Sequence, residues 1–335
     1  MRVAITGATG YLGAHVARAL LVAGHHVKLL VLPGEVSAPV LGRLRELGPV
    51  SIAVGDIRRD ADVRGLLTGA DAMVSAAGVV GTDERRVQLM WDVNACATEA
   101  ILRAAVERGL DPVVSVSSYS ALFPPSDGII SLATPTAAGR SAYAKTKGYA
   151  DRVARELQRT GAPVVVTYPS SVVGPAFCTA PGVTQQGWSP IVRWAVAPKL
   201  KGGMQMIDVL DVAEVHARLM HPGRGPRRYL CGGVLLTFDD MIDALEQGLG
   251  RRIRRVPLPA AALLAAARAA DAAARVMPVP AGLSYEAATL LTAGTPTDDS
   301  VTLRELAMTW RSPSDAIVAS FGAGAALQQF GDSPT

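Results

Sequence analysis

The chain has 335 residues, of which 49% are hydrophobic and 19% charged, and its formal net charge is +4. This length exceeds one average domain of roughly 100–200 residues, and the composition is too apolar for a disordered chain, so we expect one large α/β unit or two lobes. The 33 basic and 29 acidic residues form no long run of like charge, which argues against a nucleic-acid partner.

Short β-type runs alternate with helical periods over the first two thirds of the chain. The strands are consecutive apolar, mostly β-branched residues, which is typical of strands covered on both faces. Strand–helix alternation with short turns favours a doubly wound parallel sheet in an α/β fold. The predicted strands are 2–6, 27–32, 51–54, 72–75, 113–117, 164–167 and 228–231, and the predicted helices are 12–23, 87–107, 141–159 and 209–220.

After Pro169 this alternation weakens. Residues 174–203 are rich in Gly, Pro, Ser and Thr, and residues 236–325 are mostly helical and alanine-rich. The apolar stretch 257–280 contains charged residues and prolines, so it predicts an amphipathic helix rather than a membrane span, which needs about 20 consecutive apolar residues. Whether the helix within it, 258–277, covers a ligand or only closes the core stays open.

Cysteine and histidine placement bears on the compartment and on metal binding. Cys96, Cys178 and Cys231 lie far apart, which favours reduced thiols over a disulfide framework or a zinc site. The five histidines show no metal-binding spacing, so we expect no metal site. Because the first residues already form a strand, we expect no signal peptide and a cytoplasmic protein.

A glycine-rich turn joins the first predicted strand to the first helix, with the sequence Gly-Ala-Thr-Gly-Tyr-Leu-Gly at 7–13. Gly7 permits the tight turn, Gly10 lets the backbone approach a pyrophosphate, and Gly13 lets the helix pack close to the strand. The helix N-terminus offers N–H groups and a partial positive charge to that anion. The turn therefore predicts dinucleotide binding, through Gly7, Thr9, Gly10, Tyr11, Leu12 and Gly13.

A second pattern, Tyr143-Ala-Lys-Thr-Lys147, lies on the predicted helix 141–159. A Tyr and a Lys four residues apart share one helix face. A phenol with a pKa of about 10 is a poor base at neutral pH, but a neighbouring ammonium group favours its phenolate. Tyr143 can then give a proton to a carbonyl oxygen or take one from an alcohol.

Together these patterns resemble the extended branch of the short-chain dehydrogenase/reductase superfamily, which holds the NAD-dependent epimerase/dehydratase, dihydroflavonol reductase and 3β-hydroxysteroid dehydrogenase families. The resemblance is clear over roughly residues 1–245. It implies a Rossmann sheet with a smaller, mainly helical C-terminal substrate lobe. Ser118 precedes Tyr143 by 25 residues, the family's separation. The resemblance therefore implies Ser118, Tyr143 and Lys147 as catalytic residues, with Ser117 as the alternative to Ser118.

The resemblance also implies cofactor contacts beyond the glycine-rich turn. Asp56 matches an Asp that contacts the adenine, and small residues after the fourth strand match the turn along which the cofactor passes. Tyr168 and Val173 replace the family's Arg and Tyr, so the match over 168–175 is partial. The implied contacts are Asp56, Ile57, Ala76, Ala77, Gly78, Asn94, Tyr143, Lys147, Pro169, Ser170 and Val172.

The end of the second strand normally distinguishes NAD from NADP, by an acidic residue for the free ribose or an Arg for the 2′-phosphate. The matching positions are Val31 and Leu32, and neither is charged. Lys28 lies earlier in the strand, and Arg58 follows the next strand. The choice between NAD and NADP is therefore open.

These observations predict an organisation of the chain. Residues 1–175 and 209–235 are assigned to an NAD(P)-binding Rossmann domain, residues 176–208 and 236–325 to a substrate-binding lobe, and residues 326–335 to a flexible tail. By analogy with related proteins, helices 84–108 and 141–159 would pair two subunits in a homodimer.

The predicted function is an NAD(P)-dependent oxidoreductase that interconverts an alcohol and a carbonyl on a small, fairly apolar substrate, with Tyr143 as general acid/base. The substrate lobe is dominated by Val, Ala, Leu and Trp, which favours this over the alternative, an NAD-dependent sugar-nucleotide epimerase. A non-catalytic dinucleotide-binding regulator is the third hypothesis, and retention of Ser118, Tyr143 and Lys147 argues against it.

Overall fold

A computed structural model of the protein describes residues 1–81, 86–273 and 285–322. The strands are β1 (Arg2–Thr6), β2 (His26–Val31), β3 (Val50–Val54), β4 (Ala72–Ser75), β5 (Val113–Val116), β6 (Val164–Pro169), β7 (Ser171–Val173), β8 (Val196–Lys199), β9 (Gly203–Asp208), β10 (Arg227–Cys231), β11 (Val234–Thr237) and β12 (Arg254–Pro257). Seven of them form a central parallel sheet with the order β10-β6-β5-β4-β1-β2-β3. The prediction of a doubly wound parallel sheet is confirmed.

Helices cover both faces of this sheet. In the described part of the chain they are α1 (Tyr11–Val22), α2 (Pro39–Leu47), α3 (Asp60–Leu67), α4 (Val87–Met90), α5 (Thr98–Glu107), α6 (Ala142–Arg159), α7 (Val183–Gly187), α8 (Ser189–Trp194), α9 (Val209–Arg218), α10 (Phe238–Leu249), α11 (Ala260–Ala273), α12 (Tyr285–Ala293), α13 (Ser300–Glu305) and α14 (Pro313–Phe321). A π-helical segment, Trp91–Ala97, joins α4 to α5, so 87–107 is one helical stretch as the sequence predicts.

The core lies on both sides of the sheet because successive strand residues point to opposite faces. Val3 and Ile5 of β1 belong to a cluster with side chains of α1, α2 and α9. Ala4, between them, belongs to a second cluster with side chains of α3, α5 and α6. All three β1 residues are fully buried. This two-sided burial explains the uninterrupted apolar strands.

The region after Pro169 contains strands that the sequence did not predict. β7, β9 and β11 form a three-stranded sheet, and β8 pairs with β12. The side chains of β9 and β11 pack with α10 and α14 in a separate core cluster. β7 lies in the predicted Rossmann range and β9 in the predicted substrate lobe, but the division into domains stays a prediction.

The predicted bounds of the main elements lie within two residues of the observed ones, but the helices α2, α3, α7 and α8 were not predicted. The described part of the predicted helix 258–277 is α11, Ala260–Ala273. Its last predicted residues, and the predicted tail 326–335, lie outside the described residues.

Candidate active site

The glycine-rich turn is held by contacts that leave no room for side chains. Gly7 has φ +76°, and a Cβ placed there would lie 2.7 Å from the Ala77 nitrogen. A Cβ on Gly13 would lie 2.0 Å from the Gly7 carbonyl oxygen. Ala77 is fixed in turn, because its N–H donates to Thr6 Oγ1 at 3.1 Å. The structure therefore brings the turn against the end of β4, with Ala76 and Ala77 beside Gly7.

The N-terminus of α1 fits an anionic group. Gly10 is the N-cap and supplies no side-chain acceptor, and the first turn contains no acidic residue. The first N–H groups of a helix have no acceptor within the helix, so they can bind a pyrophosphate. A Cβ on Gly10 would approach the Gly7 oxygen to 3.3 Å.

Three other predicted residues of this turn have their side chains engaged. Tyr11 donates its hydroxyl to the Gly174 oxygen at 2.8 Å, and burial together with the Asp208 charge raises its pKa. Leu12 packs against the core, and Thr9 donates its hydroxyl to Glu35 Oε2 at 2.6 Å. Tyr11 and Leu12 can therefore meet a cofactor through their backbone.

A buried polar group lies where β4 ends. Asn94, in the π-helical segment, is 1% exposed. Its Oδ1 accepts from the Val79 N–H at 2.7 Å, and its Nδ2 donates to the Val79 oxygen at 2.8 Å. A Cβ on Gly78 would lie 3.4 Å from Asn94 Oδ1 and 3.7 Å from Lys147 Nζ. The structure thus brings together Gly78, Asn94 and Lys147, which are far apart in sequence.

Lys147 is the buried cation of the site. It lies on α6, and its Nζ donates to the Val116 oxygen at the end of β5, at 3.0 Å. Burial lowers the pKa of Lys147 to about 8, because removing an ammonium from water disfavours its charged form. No salt bridge to a carboxylate forms at Lys147 within the described residues. Tyr143 lies half-buried one helical turn earlier on the same helix.

The two candidate serines follow β5 directly. Ser118 caps the short 3-10 turn Tyr119–Leu122, and its Oγ accepts from the N–H and the hydroxyl of Ser120, at 3.2 and 3.0 Å. Because the Ser118 oxygen already accepts these two hydrogen bonds, its own hydroxyl proton is available to donate another. The Ser117 Oγ is buried and has no hydrogen-bond partner within the described structure. Both serines therefore remain candidates for holding a substrate oxygen.

Asp56 and Ile57 follow β3. The Arg58 guanidinium donates hydrogen bonds to the Asp56 carboxylate, with Nη2 2.6 Å from Oδ2 and Nε 3.1 Å from Oδ1. These bonds lower the pKa of Asp56. Ile57 is 8% exposed and packs in the core cluster that contains α3. Lys28 donates to the Gly65 and Thr68 oxygens around the end of α3.

The predicted contacts after β6 also have structural partners. Ser170 donates its hydroxyl to the Gly232 oxygen at 2.7 Å, and its N–H to the Cys231 oxygen at 3.0 Å. Pro169 ends β6, and Val172 of β7 packs partly buried against the core.

Sequence reasoning missed a cluster of contacts around Asp151 and one contact at the glycine-rich turn. Tyr168, where the family has Arg, donates to the buried carboxylate of Asp151 at 2.6 Å. Arg155 also pairs with Asp151, and Thr136 of the loop before α6 donates to it. At the glycine-rich turn, Glu35 contacts Thr9. The sequence feature that could have identified Glu35 is an acidic residue shortly after the predicted second strand.

Within residues 1–81, 86–273 and 285–322, no helix combines the length and apolar character that a membrane span requires. The same residues contain no group of three or more side chains suited to holding a metal ion.

Comparison with known proteins agrees with this geometry. The profile of the "NAD dependent epimerase/dehydratase family" matches residues 3–232. The chain is 27% identical to "Sterol demethylase protein B" of Methylococcus capsulatus, over 77% of this chain and 78% of that protein. It is 28% identical to a "Putative dihydroflavonol 4-reductase" of Synechocystis, over 76% of this chain and 75% of that protein.

Among solved structures, the crystal structure of gox2253 superposes with a TM-score of 0.80 at 26% identity, covering 99% of this chain and 98% of that one. The expected resemblance to extended short-chain dehydrogenase/reductases is thereby confirmed, as is the prediction of an NAD(P)-dependent oxidoreductase of that type. The family profile spans well over half of the sequence. The chain belongs to the NAD dependent epimerase/dehydratase family.

Proposed function

We propose that this enzyme interconverts an alcohol and a carbonyl on a small, fairly apolar substrate, with Tyr143 as the general acid/base. The observation that carries the proposal is Lys147, a buried ammonium group one helical turn from Tyr143. A buried cation favours the phenolate of a neighbouring tyrosine, which a phenol needs to act as a base near neutral pH.

The proposed roles account for both protons and electrons. A nicotinamide held at this site would supply the hydride to the carbonyl carbon in reduction and would accept it from the alcohol carbon in oxidation. Tyr143 gives a proton to the carbonyl oxygen in the first direction and receives it in the second. The Ser118 hydroxyl donates a hydrogen bond to the same oxygen and so polarises the carbonyl. Lys147 supports the Tyr143 phenolate electrostatically.

The residues that would hold the cofactor run along one edge of the sheet. The α1 N-terminus would bind the pyrophosphate, and the closely packed Gly7 and Gly13 keep that approach open. Gly78 and Lys147 would border the nicotinamide half, at the ends of β4 and β5. The chain thus fits a dinucleotide.

The proposed substrate class rests on what surrounds Ser118. The next three residues, Tyr119, Ser120 and Ala121, contain no acidic pair of the kind that sugar dehydratases use. The names of two relatives, a sterol demethylase protein and a putative dihydroflavonol reductase, do not mention a sugar nucleotide. Both observations support a carbonyl or alcohol without a nucleotide diphosphate.

The test is Tyr143→Phe, assayed by cofactor absorbance at about 340 nm with a panel of carbonyl compounds. We expect the variant to lose turnover by about a hundredfold or more and to keep cofactor binding. Tyr149→Phe is the matched control, because its hydroxyl lies on the same helix but binds Glu99. Full activity of Tyr143→Phe would refute the assigned role. Interconversion of UDP-sugars without net cofactor change would instead support the epimerase alternative.

The homodimer through helices 84–108 and 141–159 and the cytoplasmic location remain predictions. In the structure these helices carry a pair of half-buried rings, Trp91 and Tyr149, whose centroids lie 6.0 Å apart.

A further inference from the structure

Glu35 places a carboxylate against the glycine-rich turn. It ends the short 3-10 turn Pro33–Glu35, which follows β2. Its Oε2 accepts the hydroxyl proton of Thr9 at 2.6 Å, although the two residues are 26 positions apart. Glu35 is half-buried, so this contact forms at the protein surface beside the turn rather than inside the core.

The sheet order shows which half of a dinucleotide would meet Glu35. β2 and β3 lie on one side of β1, whereas β4, β5 and β6 lie on the other. Lys147 contacts the end of β5, so the proton-transferring groups belong to the second side. A dinucleotide with its pyrophosphate at the α1 N-terminus and its nicotinamide on that side extends its adenosine half over the end of β2. Glu35 lies on the adenosine side.

The two cations that the sequence offered for a 2′-phosphate are engaged elsewhere. Lys28 donates to the Gly65 and Thr68 oxygens around the end of α3. Arg58 is bound to Asp56 by its guanidinium group. Val31 and Leu32, which match the family's charged positions, are uncharged. Glu35, in contrast, is a charged group that directly contacts the turn.

We infer that Glu35 selects NAD(H) against NADP(H). A carboxylate can accept hydrogen bonds from the free hydroxyls of a ribose, and it repels a phosphate placed on the same sugar. The inference deepens the proposed function but depends only on its cofactor. Two like charges about 4–5 Å apart at a surface interact strongly enough to change affinity on the order of tenfold to a hundredfold.

The test is calorimetric titration of the full chain with NADH and, separately, with NADPH. We expect the wild-type protein to bind NADH at least about tenfold more tightly. Glu35→Gln keeps the size of the side chain and removes its charge, so it should tighten NADPH binding and reduce that ratio by about tenfold. Glu46→Gln is the matched control, an exposed glutamate of α2 paired with Arg43, and it should keep the wild-type ratio.

A second substitution makes the inference independent of one variant. Leu32 is 43% exposed, so Leu32→Arg adds a cation without repacking the core. It should also tighten NADPH binding, because it supplies positive charge beside the same carboxylate. Equal affinity of the wild-type protein for both cofactors, or an unchanged ratio in Glu35→Gln, would overturn the inference and leave the oxidoreductase proposal standing. Binding of neither cofactor would overturn both.

Discussion

Replacing Lys147 with methionine should make the protein more stable at neutral pH while removing its activity. Lys147 is 8% exposed, and its ammonium group donates to the backbone oxygen of Val116. Burial lowers its pKa from the ordinary 10.5 to about 8, which means that the folded state disfavours the charged form. Methionine has a similar length and no charge to desolvate.

The magnitude follows from the two pKa values. One pH unit corresponds to about 1.4 kcal/mol, so the fall from 10.5 to about 8 represents about 3 kcal/mol of stability lost when the lysine is charged. Loss of the hydrogen bond to Val116 offsets about 1–2 kcal/mol of the gain in the variant. At pH 7.5 the variant should therefore be more stable by about 1–2 kcal/mol.

The pH dependence gives the sharper measurement. Between pH 8 and pH 10.5 the unfolded chain retains a proton on Lys147 that the folded chain has released. The free energy of unfolding of the wild-type protein then rises with pH relative to Lys147→Met. From pH 7.5 to pH 9.5 the wild-type protein should gain about 2 kcal/mol on the variant. Below about pH 7, where both the folded and the unfolded chain keep the proton, the difference should be constant.

The assay is urea unfolding of both proteins without cofactor at pH 7.5, 8.5 and 9.5. Lys145→Met is the matched control, because Lys145 is exposed on the same helix, and it should show no such dependence. Parallel stability curves for the wild-type protein and Lys147→Met over this range would refute the reasoning. They would mean that Lys147 has the same proton affinity folded and unfolded.

Two further predictions concern the turn and the end of β6. Gly13→Ala places a Cβ 2.0 Å from the Gly7 oxygen, so we expect a loss of about 1–3 kcal/mol in unfolding free energy and of NADH affinity. Gly42→Ala is its control, a helical site with open space, and should be neutral or stabilising. Tyr168→Phe removes a 2.6 Å hydrogen bond to the buried Asp151 and should cost about 1.5–3 kcal/mol by denaturant unfolding. A change below about 0.5 kcal/mol in either substitution would contradict its prediction.

The central sheet could be predicted because its strands are buried on both faces. Such strands are uninterrupted runs of apolar residues. In β1, Val3 and Ile5 pack into one core cluster and Ala4 packs into the cluster on the opposite face of the sheet. The position of the glycine-rich turn was equally informative. A Cβ at Gly13 would collide with the Gly7 oxygen, and a Cβ at Gly7 would collide with Ala77 at the end of β4. Such close backbone contacts require glycine, and the required glycines form a recognisable pattern in the sequence.

The rest of the fold depends on pairing between distant segments. β7 is three residues long and pairs with β9, and β8 pairs with β12, so neither short run is recognisable alone. The helices α2 and α3 are short and carry several charged residues, which weakens their apolar period. Tertiary packing, rather than local preference, decides such elements.

Side-chain contacts within the site were likewise not predictable where they join distant elements. The sequence marked Tyr168 as a departure from the family's Arg, but its partner could not be predicted, because Asp151 reaches it from α6. Likewise Thr9 and Glu35 meet only when the segment after β2 folds back over the turn. Spacing identifies residues that share one element, whereas contacts between elements need the structure.

The charged groups along the proposed cofactor cleft have two separate functions, which are cofactor selection and proton transfer. Glu35 contributes negative charge at the end of β2, the Asp56 carboxylate is neutralised by Arg58, and Lys147 contributes positive charge at the end of β5. The α1 N-terminus, itself partly positive, lies between them. Because Glu35 and Lys147 lie on opposite sides of β1, a substitution of Glu35 should change which cofactor binds without changing proton transfer. A substitution of Lys147 should change proton transfer and stability without changing the preference between the two cofactors.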